Sequence, residues 1–203
     1  MNGIEKAKII SKILNQIYPK IKVPLKSRNN FTLLISVLLS AQCTDVNVNN
    51  VTKNIYPRYN KPKHFVKLGR KRIEKLIKKI GIFRIKAKSI FNLSKILLEK
   101  HKGQVPKTFN ELEKLPGVGH KTASVVMSQG FGYPAFAIDT HIHRLAQRWG
   151  LTNGKNVTQT EKDLKNLFPK KNWNKLHLQI IYYGREYCKA RSCYGLTCKI
   201  CTT

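Results

Sequence analysis

The sequence predicts an all-α fold, and two observations indicate it. Apolar residues recur at intervals of three and four along most of the 203 residues, which is the spacing of amphipathic helices. No long run alternates between apolar and polar residues, as a half-buried strand would. An apolar content of 41% is ordinary for a globular protein, and the length suits one large domain or two small ones that share a core.

Three helices are indicated in the N-terminal half. Ile9 and Ile13 lie on one face of an amphipathic N-terminal helix. The segment FTLLISVLLSAQ, residues 31–42, predicts a fully buried core helix, because it is far short of the roughly 20 residues that a membrane span needs. The segment KRIEKLIKKIG, residues 71–81, predicts an amphipathic helix with Gly81 as its C-terminal cap.

Helix starts in the C-terminal half are marked by polar caps. Thr108 with Glu111, and Thr158 with Glu161, form the capping-box pattern of a hydroxyl and a carboxylate three residues apart. They predict helices that begin with FNELEKL and that end near Pro169, respectively.

Three further helices follow from apolar periodicity and from glycines. The segment TASVVMSQG predicts a helix that runs into Gly130. Asp139 suits the N-cap of THIHRLAQRWG, which closes at Gly150. The segment NKLHLQIIYYGREYC, residues 174–188, predicts the last helix, which runs into a group of cysteines.

The chain is strongly basic. Its 39 Lys and Arg residues against 10 Asp and Glu residues give a net charge of +29. Such an excess favours a polyanionic partner, nucleic acid before a membrane surface. The alternative is a bias toward Lys, Asn and Ile that an AT-rich coding sequence would also produce. Glu5, Lys6 and Lys8 interrupt the N-terminus before an apolar core of signal length, so a soluble cytoplasmic protein without membrane association is expected.

The stretch LPGVGHKTASVV, residues 115–126, places a sharp turn before a helix. Leu115 closes one helix, PGVG turns the chain, and Lys121 falls in the first turn of the next helix. A helix start offers N–H groups and a positive dipole end, and glycines let another backbone approach closely. The pattern predicts a grip on a nucleic-acid backbone without sequence readout. The alternative is a plain turn between two helices, for which one glycine would suffice.

Four of the five cysteines lie in the last 16 residues: Cys188, Cys193, Cys198 and Cys201. In an intracellular chain this spacing favours a metal site over a disulfide framework. Four thiolates suit a [4Fe–4S] cluster or a tetrahedral zinc ion, and an unliganded loop is the third possibility. Cys43 is distant in sequence and is expected to be a small buried residue.

His141 and His143 form an H-x-H pair. Side chains two residues apart on a helix point in different directions, and no third ligand is near in sequence. Structural or DNA-facing roles are therefore expected, and a zinc-dependent nuclease lacks a convincing ligand set. Asp45 is expected to be a helix cap or an internal partner.

Four segments resemble the endonuclease III family of DNA glycosylases. They are LLSAQCTD (38–45), LPGVGHKTA (115–123), AIDTHIHRLAQRWG (137–150), and GREYC with the cysteines that follow. They stand in the family's order and span nearly the whole chain.

The resemblance implies a two-lobed helical DNA glycosylase fold with a helix-hairpin-helix motif and a C-terminal cysteine-cluster loop. A central helical bundle at 22–132 would end in the hairpin motif at about 108–130. A second lobe would combine 1–21 with 133–203, and the cysteine cluster would lie at 188–201.

The activity that the resemblance implies is that of a bifunctional DNA glycosylase and AP lyase of base excision repair. A monomer would remove oxidised or ring-saturated pyrimidines from double-stranded DNA and nick the strand at abasic sites by β-elimination. Lys121 matches the family's nucleophile, which forms a Schiff base, and Asp139 matches its catalytic aspartate. From the residues alone, Lys121 would be a phosphate contact and Asp139 an N-cap.

Contacts with DNA are also implied. Gln42 would insert into the duplex where a damaged nucleotide has flipped out, and Ile82 would be an apolar wedge or, alternatively, a core residue. The other residues expected to face DNA are Leu115, Gly117, Val118, Gly119, His120, Lys121, His141, Lys189 and Arg191.

The cysteines match the family's iron–sulfur loop in number, and the resemblance implies that Cys188, Cys193, Cys198 and Cys201 bind a [4Fe–4S] cluster. Their spacing departs from the family's. The family has six, two and five residues between successive cysteines, whereas this chain has four, four and two.

Two other activities compete. The adenine-excising branch of the same superfamily typically lacks the lysine after the hairpin and carries a further C-terminal domain. A non-catalytic helix-hairpin-helix protein would bind DNA through charge alone. Lys121 and the end of the sequence at Thr203 argue against the first, and the pair Lys121 and Asp139 in family register argues against the second.

Overall fold

The computed structural model describes residues 2–202, and it is all-α, as the periodicity predicts. Within those residues the chain forms ten α-helices and a short 3₁₀ helix, with no strand. The helices are α1 (Gly3–Ile17), α2 (Asn30–Ser40), α3 (Asp45–Thr52), α4 (Pro62–Leu76), α5 (Phe83–His101), α6 (Phe109–Glu113), α7 (His120–Phe131), α8 (Thr140–Arg148), α9 (Val157–Leu167) and α10 (Trp173–Glu186), with the 3₁₀ helix at Lys170–Asn172. None of the described helices combines the length and the apolar character needed to cross a bilayer.

The chain divides into two compact units. One unit is Val23–Tyr133, and the other joins Met1–Lys22 to Pro134–Thr203. The first unit contains α2 to α7, and the second contains α1 and α8 to α10.

The first unit is built around α2. Every residue from Phe31 to Leu39 is buried, which confirms the predicted core helix. Asn29 caps this helix by accepting a hydrogen bond from the Thr32 amide at 2.9 Å. Helices α3, α5 and α7 pack around α2, while α4 packs on α5 and α6 on α7. The helix that carries Lys121 is therefore supported directly by the most buried segment of the unit.

The second unit packs α8 against α9 and α10, and α1 against α9 and α10. Trp149 and Tyr183 meet edge to face in its core, with ring centroids 5.7 Å apart. Gly184 lets α10 approach α8, because a Cβ atom there would lie 2.6 Å from Cδ1 of Leu145. This close approach fixes the position of α8.

Several predicted helix ends are confirmed. Thr108 accepts a hydrogen bond from the Glu111 amide at 3.3 Å and starts α6. Asp139 is the N-cap of α8. The helix closes in a Schellman motif, because Leu151 N–H donates to the Ala146 carbonyl at 2.8 Å and Gly150 N–H donates to the Gln147 carbonyl at 3.0 Å.

Two predicted helix boundaries are wrong. Helix α4 is broken at Gly69, which has φ +71° and ψ 158°, so its second part begins close to the predicted start at 71, but it ends at Leu76 instead of Gly81. Buried Ile77 and Ile80 anchor a turn there, in which Ile80 N–H donates to the Ile77 carbonyl at 2.8 Å. At α9, Asn156 is the N-cap in place of Thr158, because an asparagine two residues earlier already caps the Gln159 amide.

Candidate functional site

The hairpin before α7 is a β-turn that depends on Gly117. Val118 N–H donates to the Leu115 carbonyl at 3.0 Å across Pro116 and Gly117. Gly117 has φ +80°, as the third position of a type II turn requires, and proline suits the second position. A Cβ atom at Gly117 would also lie 2.9 Å from Cβ of Ser89 on α5. Both the backbone angle and the lack of space exclude a side chain there.

Leu115 and Val118 hold the turn in the core. Their side chains are buried, with exposed fractions of 2% and 5%. Leu115 N–H donates to the Leu112 carbonyl at 3.0 Å, and Val118 N–H is used in the turn itself. The two side chains therefore anchor the hairpin, and a contact of these residues with DNA stays a prediction.

Gly119 and Lys121 form the solvent-facing start of α7. Gly119 is the N-cap, in extended conformation and with no side-chain cap. A Cβ atom there would meet nothing within 4 Å, so the missing side chain leaves open space beside the helix start. Lys121 follows in the first turn with an exposed side chain. This helix start has the shape and the dipole direction that suit an anion.

His120 is held by its own unit. Its Nδ1 atom lies 2.7 Å from Oε1 of Glu113, and its ring stacks on Phe109 with centroids 5.7 Å apart. These contacts join α6 to α7 across the hairpin. The predicted contact of His120 with DNA stays a prediction, while its role in bracing the hairpin was not foreseen from the sequence.

Gln42 and Ile82 lie on adjacent loops in unusual backbone conformations. Their φ angles are 55° and 50°, in the left-handed region that a β-branched residue such as isoleucine rarely adopts. A Cβ atom at Gly81 would lie 3.7 Å from the Gln42 carbonyl oxygen, which brings the two loops together. Ile82 is 50% exposed, so the core-packing alternative is wrong. Exposed residues in strained conformations are a feature of functional loops, and their insertion into DNA stays a prediction.

Lys86 supports the Gln42 loop and was missed by sequence reasoning. It is buried on α5, and its Nζ atom donates to the carbonyls of Leu39 at 2.9 Å and Ala41. These carbonyls end α2, where a cation also interacts favourably with the helix dipole. Burial lowers the pKa of Lys86. The sequence signal was a lysine on the apolar face of an amphipathic helix.

Asp139 caps α8 and faces His141. Its Oδ1 atom accepts a hydrogen bond from the Ile142 amide at 2.8 Å, and Oδ2 lies 3.6 Å from Nδ1 of His141. The carboxylate side chain is 14% exposed. Nδ1 of His143 instead lies 2.7 Å from the Thr160 hydroxyl, so the two histidines diverge as predicted.

The four C-terminal cysteines converge. Their sulfur atoms all lie within 4.8 Å of one another, and this is the one group of potential metal ligands that residues 2–202 contain. The sulfur of Cys201 is 3.7 Å from that of Cys188 and 3.8 Å from that of Cys193. Cys188, Cys193 and Cys198 are buried, and Cys201 is partly exposed. The residues predicted to bind a metal are therefore brought together.

The environment of the thiols differs from one cysteine to the next. Burial raises the pKa of Cys188 and Cys201. Burial also acts to raise the pKa of Cys193, but hydrogen bonds from the Thr197 hydroxyl and from backbone N–H groups outweigh it and lower that pKa to about 5. The loop thus stabilises a thiolate at Cys193.

Two arginines of α8 hold the cysteine loop, and the sequence did not reveal them. Arg148 donates to the carbonyls of Lys189 and Ala190 at 2.9 Å each, and its Nη1 atom lies 3.5 Å from the Cys188 sulfur. Arg144 donates to the Cys188 carbonyl at 3.2 Å. Lys189 and Arg191, the predicted DNA contacts of the loop, have exposed side chains.

Comparison with known proteins identifies the class. Residues 35–170 match the family described as HhH-GPD superfamily base excision DNA repair protein. The chain is 43% identical to endonuclease III of Bacillus subtilis, over 88% of this chain and 82% of that protein. It is 42% identical to endonuclease III of Escherichia coli K12, over 94% and 90% of the two chains. The chain belongs to the endonuclease III family.

Solved structures agree with this assignment. A structure described as a trapped endonuclease III–DNA covalent intermediate matches with a TM-score of 0.93 and 39% identity, covering 98% of this chain and 94% of that chain. A thermostable thymine-DNA glycosylase matches with a TM-score of 0.86 at 21% identity, which shows the shared fold alone.

The two hairpin glycines provide a matched test of the turn. Gly117→Ala is expected to lower the free energy of unfolding by about 1–3 kcal/mol, because the added methyl group meets Ser89 in a left-handed conformation. Gly119→Ala is expected to change it by less than about 1 kcal/mol, since that site is extended and open. Urea unfolding of both variants measures the difference. Equal losses would contradict the assigned geometry.

Proposed function

We propose that this chain acts as a bifunctional DNA glycosylase and AP lyase of base excision repair, with Lys121 as its nucleophile. The observation that carries the proposal is an exposed lysine in the first turn of α7, directly after a glycine hairpin, within a sequence that belongs to the endonuclease III family. A hairpin of this kind grips a DNA backbone, and the lysine adds covalent chemistry.

The chemistry follows from an amine as the attacking group. The neutral Nζ atom of Lys121 attacks C1′ of the damaged nucleoside, and the bond from C1′ to the base breaks with its electron pair leaving on the base. Opening of the sugar ring and transfer of the amine proton give a Schiff base between Nζ and C1′. Loss of a proton from C2′ then expels the 3′ phosphate and nicks the strand. Water finally hydrolyses the Schiff base and releases Lys121.

Asp139 is proposed to stabilise the positive charge that develops on the sugar as the base departs. A carboxylate at a helix N-terminus is stabilised in its ionised form, and the Ile142 amide fixes its orientation. Capping and catalysis are compatible, because the cap uses Oδ1 and leaves Oδ2 facing His141.

Recognition of the lesion is proposed to combine backbone grip with base flipping. The start of α7 would bind a phosphate next to the flipped nucleotide. Gln42 and Ile82, which are exposed on adjacent strained loops, would fill the space that the nucleotide leaves, since unstacking costs a few kcal/mol. His141, Lys189 and Arg191 would contact phosphates.

The substrate, the oligomeric state and the location of the protein are proposed from its family. Relatives named endonuclease III come from bacteria, and a solved relative is described as a DNA complex. We therefore propose double-stranded DNA with oxidised or ring-saturated pyrimidines or abasic sites as substrate, a monomeric enzyme, and the bacterial cytosol as its location.

A metal centre in the C-terminal loop is also proposed. The family resemblance assigns it as a [4Fe–4S] cluster, and four thiols are the ligand number that such a cluster takes. The separations of the sulfur atoms do not fit a cubane, however. Its proposed contribution is structural, because an ordered loop presents Lys189 and Arg191, and no chemical step depends on it.

Covalent trapping tests the nucleophile. Reduction with borohydride should link wild-type protein to a duplex with one abasic site, and Lys121→Ala should abolish the adduct, because the Schiff base cannot form. Lys114→Ala, at an exposed lysine beside the same hairpin, should trap like wild type. Salt-sensitive DNA binding by wild type without any adduct would support a non-catalytic DNA-binding protein instead.

Asp139 variants separate capping from catalysis. Asparagine caps a helix as well as aspartate does, so Asp139→Asn should keep the free energy of unfolding within about 0.5 kcal/mol, while Asp139→Ala should lose about 1 kcal/mol. Both should slow base removal by about 100-fold or more, because the negative charge is lost. Single-turnover rates and urea unfolding measure the two effects. A normal rate in Asp139→Asn would show that the carboxylate serves only as a cap.

A further inference from the structure

We propose that the four C-terminal cysteines bind one tetrahedral zinc ion in place of an iron–sulfur cubane. By type and number the ligands suit either centre, since four thiolates occur in zinc sites and in iron–sulfur sites. The positions of the sulfur atoms and the lengths of the loops between them separate the two.

Two of the six sulfur separations match ligands that share one ion, and the other four are shorter than a cubane requires. With a zinc–sulfur bond of about 2.3 Å, the edges of a tetrahedron of sulfurs measure about 3.8 Å. The Cys188 and Cys193 sulfurs lie 3.7 and 3.8 Å from the Cys201 sulfur, and all four lie within 4.8 Å of one another. In a [4Fe–4S] cubane each cysteine thiolate binds a different iron on the outside of the cluster. The four cysteine sulfurs therefore lie considerably further apart than around a single ion.

The spacing along the chain agrees with the separations. Four, four and two residues lie between successive cysteines, and each interval falls within the two to four residues typical of paired ligands in structural zinc sites. The family's iron–sulfur loop has intervals of six and five residues in addition to one of two. Both longer intervals are absent from this chain, so its loop is tighter.

The surroundings suit a closed structural site. Three of the four cysteines are buried, with exposed fractions of 0% at Cys188, 1% at Cys193 and 7% at Cys198, which leaves little room for a water ligand. Four thiolates on Zn²⁺ leave a net charge of −2, and Arg148 contacts the Cys188 sulfur at 3.5 Å. Hydrogen bonds from the loop backbone and from Thr197 reach the Cys193 sulfur. Such outer contacts orient metal ligands.

The remaining contacts connect the cysteine loop to helices α8 and α10 of its own unit. Ile200 N–H, between the last two cysteines, donates to the buried Tyr183 hydroxyl at 3.2 Å. Arg148 and Arg144 hold the carbonyls around Cys188. A zinc ion would therefore fasten residues 188–201 to α8 and α10, and it would do so without a redox-active centre.

Metal and sulfide analysis of the purified full-length protein tests the proposal. The protein is produced in medium containing both zinc and iron and is purified under anaerobic conditions. One zinc per chain, no acid-labile sulfide and no visible absorption are expected. Replacement by Co²⁺ should give the visible spectrum of a tetrahedral thiolate site. Four irons and four sulfides per chain, a single iron, or no stoichiometric metal would each overturn the proposal.

Matched cysteine variants locate the ion. Cys193→Ala should reduce zinc to less than half of the wild-type content, whereas Cys43→Ala, at the one cysteine outside the cluster, should retain it. Full zinc content in Cys193→Ala or its loss in Cys43→Ala would overturn the ligand assignment. These measurements are independent of covalent trapping, so failure of the proposed enzymatic function would leave them interpretable.

Discussion

The close approach of Gly117 to α5 is the constraint on which the first unit's functional surface depends. The type II turn places this residue at φ +80° with Ser89 where a side chain would be, so the hairpin has one position on the core. Leu115 and Val118 fix the turn from the inside, and the contact of His120 with Glu113 braces it from the outside. The start of α7, and with it Lys121, follows from these contacts. Precise placement of a nucleophile is worth a large share of a catalytic barrier, which explains why a rigid turn precedes it.

Helix α8 has the comparable role in the second unit. Asp139 caps its first turn, and Arg144 and Arg148 project from its later turns to hold the cysteine loop. One helix of nine residues thus carries the proposed catalytic carboxylate at one end and the support of the metal loop at the other. A centre that fixes this loop needs no chemistry of its own, which is consistent with zinc serving there as well as an iron–sulfur cluster would.

Local features could be predicted from the sequence, while long-range contacts could not. The core helix α2, the cap at Asp139 and the convergence of the cysteines follow from apolar runs, capping chemistry and spacing. The prediction of Thr158 as the cap failed because Asn156, an equally good cap, lies two residues earlier, and the sequence does not rank the two. Lys86 and Arg148 were missed because their partners are backbone carbonyls about 40 residues away. Every residue has such a carbonyl, so the sequence does not indicate which one a side chain contacts. The family resemblance supplied the roles of Lys121 and Asp139, which charge and spacing alone would have assigned to phosphate binding and capping.

The most direct test of the account is to locate the covalent bond in the reduced adduct. Wild-type protein trapped on an abasic duplex is digested with protease, and the peptide that carries the sugar remnant is sequenced by tandem mass spectrometry. The chain has 30 lysines, so an adduct could form on many surface amines if DNA merely lay against the protein. The remnant is expected on Lys121 alone. A remnant distributed over other lysines such as Lys107 and Lys114 would contradict the assignment of Lys121 as the nucleophile.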